Sequence, residues 1–261
     1  MEQLLVIKIG GNIIDNEEKL SLFLREFASV PGKKILVHGG GKLATKLADQ
    51  LGIPQQLVDG RRITDEETLK IVTMVYAGYI NKNLVAALQK LRLDAIGISG
   101  ADGNSIRAHK RIHTTIDYGY VGDIDTINDS FLINLLEKNI TIVIAPITHD
   151  GNGQLLNTNA DTIAQEVAKA LSKTYQVQLV YSFEKNGVLL NVDDENSVIK
   201  EINSTSYRKL KEEQAIFAGM IPKLDNAFTA LKSGVNKVII GKAEELKNLI
   251  EGYAGTTIVN E

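Results

Sequence analysis

The chain has 261 residues, 44% hydrophobic and 23% charged, enough for one large α/β domain or two lobes with a sizeable core. It contains no cysteine, which removes disulfides, thiol catalysis and cysteine-ligated zinc, and its net charge of −3 without a basic block argues against a nucleic-acid partner. No apolar run approaches membrane-spanning length and Met1-Glu2-Gln3 is no signal peptide, so the expectation is a cytoplasmic protein with no membrane partner.

Residues 4–7 form an apolar strand that runs into Lys8-Ile9-Gly10-Gly11, and residues 17–27 place Leu20, Phe23 and Phe27 at helical spacing. A second strand, residues 35–37, ends in His38-Gly39-Gly40-Gly41, and a helical segment follows over residues 43–51. This opening alternation of strand and helix is the grammar of a parallel sheet covered on both faces. Thr64-Asp65-Glu66-Glu67 reads as a capping box for a long helix that is apolar from Leu69 through Val85. Strands are expected at residues 94–99 and 141–147. Between them, residues 105–114 alternate so that Arg107, His109, Arg111 and His113 share one side of a strand, with a hairpin partner near Gly119-Tyr120-Val121-Gly122. Residues 160–171 form a helix. After Lys173 the alternation restarts, with strands at 177–182, 235–240 and 256–259 and helices at 206–214, 224–232 and 244–251. With no proline- or glycine-rich linker, two lobes meeting near residue 173 would share a continuous sheet.

The triglycine turn between strand and helix is the strongest chemical signal. Glycine lets backbone N–H groups approach an anion, and the helix dipole favours negative charge there. It is not a P-loop, because Leu43 stands where Ser or Thr would hold Mg²⁺ and no glycine lies five positions before Gly41. Lys8 ends an apolar strand just before two glycines, where ligands of parallel sheets sit, and this favours a phosphate over a snorkelling surface charge. Arg62 stands before a capped helix and either grips an anion or is solvated. Asp161 is either the N3 acid of a cap on Thr158 or an anion that orients lysines. In Ile221-Pro222-Lys223, proline marks the first helical position, and Lys223 sits against the dipole preference, as expected of a cation facing phosphate. His109 and His113 lie about 13 Å apart on a strand and cannot share a metal.

In order and spacing, Lys8-Ile9-Gly10-Gly11, His38-Gly39-Gly40-Gly41, Gly60-Arg61-Arg62-Ile63-Thr64, Gly119-Tyr120-Val121-Gly122, Asn157-Thr158-Asn159-Ala160-Asp161, Gly219-Met220-Ile221-Pro222-Lys223 and Gly255-Thr256-Thr257-Ile258 resemble the amino acid kinase superfamily. The resemblance implies a three-layer αβα sandwich around a mainly parallel central sheet. Residues 1–173 would form an amino-acid-binding lobe with a dimer helix and a lid hairpin, and residues 174–261 a nucleotide-binding lobe. The implied activity is ATP-dependent phosphorylation of the γ-carboxylate of an N-acylated glutamate, in arginine biosynthesis. Lys8, Lys223, Asp161 and Gly11 would be catalytic, with Asp161 holding both lysines. Gly40, Gly41, Arg62 and Asn157 would bind the N-acyl-L-glutamate. Glu184, Gly187, Gly219 and Met220 would contact the nucleotide, although Glu184 stands where the family usually has Asp. ATP would come with Mg²⁺ held mainly by phosphates and water, with no protein metal site. The short segment before the first strand suggests a homodimer without arginine feedback. A cationic hairpin (Arg107, His109, Lys110, Arg111, His113) raises N-succinyl-L-glutamate as an alternative acceptor. Other acceptors of the superfamily and a non-catalytic ligand sensor are the remaining alternatives.

Overall fold

The computed structural model describes residues 1–58, 61–191, 193–213, 215–216 and 220–260, and for residue 222 the backbone alone. It divides into two compact units, Met1–Lys34 with Ala164–Glu261, and Ile35–Ile163. The units do not follow a linear cut at residue 173. The strand Gln3–Ile9 lies parallel to Gln176–Phe183, in register from Gln3 opposite Gln176 to Ile9 opposite Ser182. That ladder takes the first strand and helix into the unit with the chain's last third.

In this first unit the strands run in the order Glu201–Ile202, Thr256–Ile258, Lys237–Lys242, Gln176–Phe183, Gln3–Ile9. All neighbours are parallel except Thr256–Ile258 against Lys237–Lys242. Strands buried on both faces read as unbroken apolar runs rather than alternations. Accordingly Leu4, Val6, Ile7, Leu179, Val180, Val238 and Ile239 are all fully buried. The helix Glu17–Ser29 is capped by Asn16, whose side chain accepts from Lys19 N–H, and it buries Phe23, Leu24 and Phe27. Glu17 and Glu18 in its first turn suit the positive end of the dipole. The helix carrying Lys223 spans Ile221–Lys232 and starts one residue before the expected proline. The expected helix 244–251 opens instead as a 3₁₀ turn, Ala243–Glu245, before Leu246–Glu251.

In the second unit, the part of the strand Lys33–His38 from Ile35 onward runs parallel to Thr141–Ile144, which in turn runs parallel to Ala95–Ile98. A smaller sheet has the order Leu155–Asn157, Ile147–His149, Ile106–Lys110, Gly122–Ile127. The single strand expected over 141–147 is therefore two. Pro146 offers no N–H to continue a ladder, and the chain passes from one sheet to the other at that point. The hairpin is also shorter and later than its alternation suggested, pairing Ile106–Lys110 with Gly122–Ile127 around a bulge at Arg107/Ala108.

The long helix forms as expected, Glu66–Val72 and Asn81–Lys90, but its middle, Thr73–Ile80, is π-helical. Glu66–Lys90 has the length and apolar content of a membrane span. Its inward face (Leu69, Val72, Tyr76, Ile80, Leu84, Leu88) is buried within its own unit.

Candidate active site

Stretches that lie far apart in the second unit's sequence are stitched together by short hydrogen bonds. Thr64 N–H donates to Tyr118 O at 3.0 Å, Tyr120 N–H to Thr64 O at 2.6 Å, and Asn157 N–H to Tyr120 O at 2.8 Å. Asn157 Nδ2 also donates to Thr64 Oγ1 at 3.0 Å, and that hydroxyl donates to Arg62 O at 2.8 Å. Thr64 is thus no helix cap. Asp65 takes that role, accepting from Thr68 N–H at 2.8 Å, and this leaves Thr64 buried as the rivet between the arginine and asparagine motifs. Asp161 is likewise not the acid of a cap on Thr158. Asn159 Oδ1 accepts from Thr162 N–H at 3.1 Å, while Thr158 Oγ1 bonds Thr148 Oγ1 and Gly122 O.

Arg62 is 7% exposed and reaches the glycine loop. Its Nη2 donates to Gly41 O and Thr45 Oγ1, each at 2.9 Å, and its Nη1 donates to Gln55 Oε1. Of its five N–H donors, those on Nε and the second on Nη1 are not taken by these three acceptors. Gly40, the residue before the helix Gly41–Gln50, has φ +147°, and a Cβ there would collide with Ile80 Cδ1. The first N–H groups of that helix have no acceptor inside it. Arg62 thus bonds the glycine loop at Gly41 through its side chain and is tied to Asn157 through Thr64, which links the glycine, arginine and asparagine motifs.

His38 anchors the loop from behind. It is fully buried, with Nδ1 2.8 Å from Gly39 O and Nε2 3.3 Å from Asn81 Nδ2. The carbonyl requires a proton on Nδ1 and the amide requires a lone pair on Nε2, so this is the neutral Nδ1–H tautomer. Burial pushes its pKa down to about 4; the Gly39 carbonyl opposes that shift and the Lys82 charge adds to it. Asn81 also donates to Val143 O at 3.0 Å, and Lys82 reaches both Asn81 Oδ1 and Gly97 O. A Cβ on Gly97 would collide with the Asn81 amide.

In the first unit, Lys8 lies opposite Tyr181 in the parallel ladder, so both side chains leave the same face of the sheet. The Lys223 ammonium lies 5.9 Å from the centroid of the buried Tyr181 ring, a cation–π distance. Both expected lysines therefore gather at one tyrosine, at the carboxyl end of the strands, where ligands of α/β sheets bind. Gly10 N–H donates to Ser182 O at 3.0 Å, and Gly11 opens the one-turn helix Gly11–Ile14 alongside. Glu184 is exposed and acts on Lys19 electrostatically, and Met220 precedes the helix that carries Lys223. Gly187 has a packing cause of its own, since a Cβ would lie 2.7 Å from Thr256 Oγ1. Gly60 and Gly219 lie outside the described residues.

The hairpin is not the bare cationic face its sequence suggested. His109 Nδ1 is 2.7 Å from Asp125, Arg111 Nη1 donates to Asp123 at 2.7 Å, and Lys110 lies 3.6 Å from Asp117. Carboxylates already answer His109, Lys110 and Arg111, which weakens the argument for a second substrate carboxylate. Sequence reasoning missed Thr45, Gln55, Tyr76, Asn81 and Tyr181. The visible signal was a polar Asn81 and a Tyr76 hydroxyl set into the buried stripe of an apolar helix.

A model of the amino acid kinase family matches residues 3–242. The chain is 57% identical over 251 residues to an acetylglutamate kinase of Cytophaga hutchinsonii, covering 96% of this chain and 95% of that one. It is 53% identical over 246 residues to an acetylglutamate kinase of Parabacteroides distasonis, covering 94% and 96%. Among solved structures, a Streptococcus mutans protein superimposes with a TM-score of 0.78 at 27% identity, covering 98% of both chains.

Proposed function

Because the chain belongs to the amino acid kinase family, with its αβα fold, we propose that it transfers the γ-phosphoryl group of ATP to the γ-carboxylate of N-acetyl-L-glutamate, in arginine biosynthesis. The observation that carries this reading is the linkage of the glycine, arginine and asparagine motifs through Arg62 and Thr64, in a chain more than half identical to acetylglutamate kinases. A glutamate side chain, with a pKa near 4.3, is already ionised at neutral pH, so no general base is needed. One carboxylate oxygen forms the new O–P bond, the bond from γ-phosphorus to the bridging oxygen breaks, ADP leaves with that electron pair, and no proton moves.

Such a transfer is mostly positioning and charge neutralisation. In the unit that carries them, Lys8 and Lys223 neutralise the transferring group and Gly11 offers it an N–H. Gly40 and Gly41 hold the γ-carboxylate, and the remaining Arg62 donors with Asn157 hold the α-carboxylate side. Glu184, Gly187 and Met220 contact the nucleotide; Gly219, the fourth expected contact, lies outside the described residues. Among the described residues no group of three or more His, Cys, Asp or Glu could cage a metal. A Mg²⁺ ion fits this donor set only if phosphate oxygens and water supply most of its ligands, as that ion prefers. When bound it would neutralise phosphate charge. A cytoplasmic location, where ATP is plentiful, and a homodimer belong to the same reading.

The test is acyl-phosphate formation from N-acetyl-L-glutamate and MgATP, trapped with hydroxylamine while ADP is followed. The expected result is hydroxamate in step with ADP. ADP release that does not depend on the acceptor, with no hydroxamate, would refute the reading.

A further inference from the structure

π-Helical turns are rare and concentrate at functional sites, because an extra residue per turn re-aims side chains at some cost in hydrogen-bond geometry. The one at Thr73–Ile80 turns its buried face to the glycine loop. A Cβ added at Gly40 would lie 3.2 Å from Tyr76 Cδ1, besides colliding with Ile80. From a Cβ added at Gly41, the Tyr76 hydroxyl would be 3.9 Å away and Arg62 Nη2 3.6 Å away. Phenol and guanidinium therefore flank Gly41 together. Tyr76 is 6% exposed, and burial pushes its pKa up against the opposing pull of Arg62, so the group is a neutral hydroxyl. A hydroxyl there can accept from a guanidinium and still donate one hydrogen to a carboxylate.

Arg62 needs such a neighbour. Its Nη2 is spent on Gly41 O and Thr45, and Gln55 takes one Nη1 hydrogen. The Tyr76 hydroxyl hydrogen-bonds Arg62, and an acceptor at that point helps to fix the direction in which the rest of the guanidinium fork faces. We infer that Tyr76 is a positioning residue of the acyl-amino-acid site, its hydroxyl holding Arg62, and its ring the Gly40–Gly41 backbone, in the geometry that receives the substrate carboxylates. This rests on the functional reading above. It concerns binding of the acyl amino acid and leaves ATP untouched.

The test is Tyr76→Phe, which keeps the ring against Gly40 and deletes only the hydroxyl. The expected result is a KM for N-acetyl-L-glutamate raised about tenfold, with kcat and the KM for ATP changed less than about twofold. Calorimetric titration with N-acetyl-L-glutamate should give the same rise in Kd. In an Arg62→Lys background the further effect of Tyr76→Phe should shrink to less than about twofold, because coupled groups are not additive. An unchanged KM for the acyl substrate, an equal rise for ATP, or a full effect in the Arg62→Lys background would each overturn the inference while leaving the reaction intact. Wild-type protein that neither binds nor phosphorylates N-acetyl-L-glutamate would overturn the functional reading and this inference with it.

Discussion

His38 is a histidine whose work depends on staying uncharged. Its Nδ1–H holds the Gly39 carbonyl and its Nε2 accepts from Asn81, and a second ring proton would break the latter bond. In the unfolded chain an imidazole takes up a proton near pH 6.5, whereas the folded environment resists until about 4. Between those values the unfolded state binds more protons. Stability therefore falls as pH drops through that window, by up to about 1.4 kcal/mol per pH unit from this group, and above it the group contributes no slope. Denaturant titrations from pH 7 to pH 4 should show a steeper loss in the wild type than in His38→Gln; parallel curves would mean that His38 does not stay neutral. The motifs made several meetings of residues legible, since the Arg62 side chain bonds Gly41, Asn157 is tied to Arg62 through Thr64, and Lys8 and Lys223 both lie at Tyr181. The destination of individual side chains was not. Thr64 reads as a cap because acidic residues follow it, yet Asp65 serves that need and the Thr64 hydroxyl bonds Asn157, ninety-three positions along the chain. Nothing local to Thr64 encodes that partner.

At the scale of elements, the glycine loop and the π-turn are one mechanical part. Gly40 adopts a backbone conformation that L side chains rarely adopt, and the Ile80 methyl occupies the room a Cβ would need. Gly40→Ala should therefore cost about 2–4 kcal/mol in unfolding free energy and most of the activity, whereas Gly52→Ala, with strained backbone but open space, should cost about 1–2 kcal/mol and leave turnover intact. Thermal melts and initial rates on the pair would check this; equal losses would mean that packing against Ile80 is unimportant. The apolar stripe from Leu69 to Val85 announced the long helix, but a period of 3.6 cannot reveal a π segment, because tertiary packing against the loop selects it. The split of the expected 141–147 strand was hidden for a similar reason. An unbroken apolar run satisfies two different sheets equally well, and only Pro146 marks the break.

At the scale of the whole molecule, the second unit leaves apolar surface uncovered. Met74 is 55% and Tyr79 65% exposed on the π-turn, and Ile96 is 37% exposed on Ala95–Ile98, which ends its sheet. An open edge strand beside exposed apolar side chains is a surface that a second copy can cover. Light scattering should give about twice 28.5 kDa for the wild type, and Tyr79→Lys should shift it toward the monomer mass; a monomeric wild type would remove the dimer from the functional reading. The two units also differ in how their chains are assembled. Ile35–Ile163 is one continuous stretch, while the other unit joins Met1–Lys34 to everything after Ile163. On a ribosome adding about 5–20 residues per second, Gln3 waits on the order of 10–30 s for Gln176 to be made. During that interval the apolar side chains of Gln3–Ile9 lack the ladder that covers one edge of the strand, while the segment bearing the glycine loop can already fold. Biogenesis is then most vulnerable at the amino-terminal strand, a segment for chaperones to shield until the last third of the chain emerges.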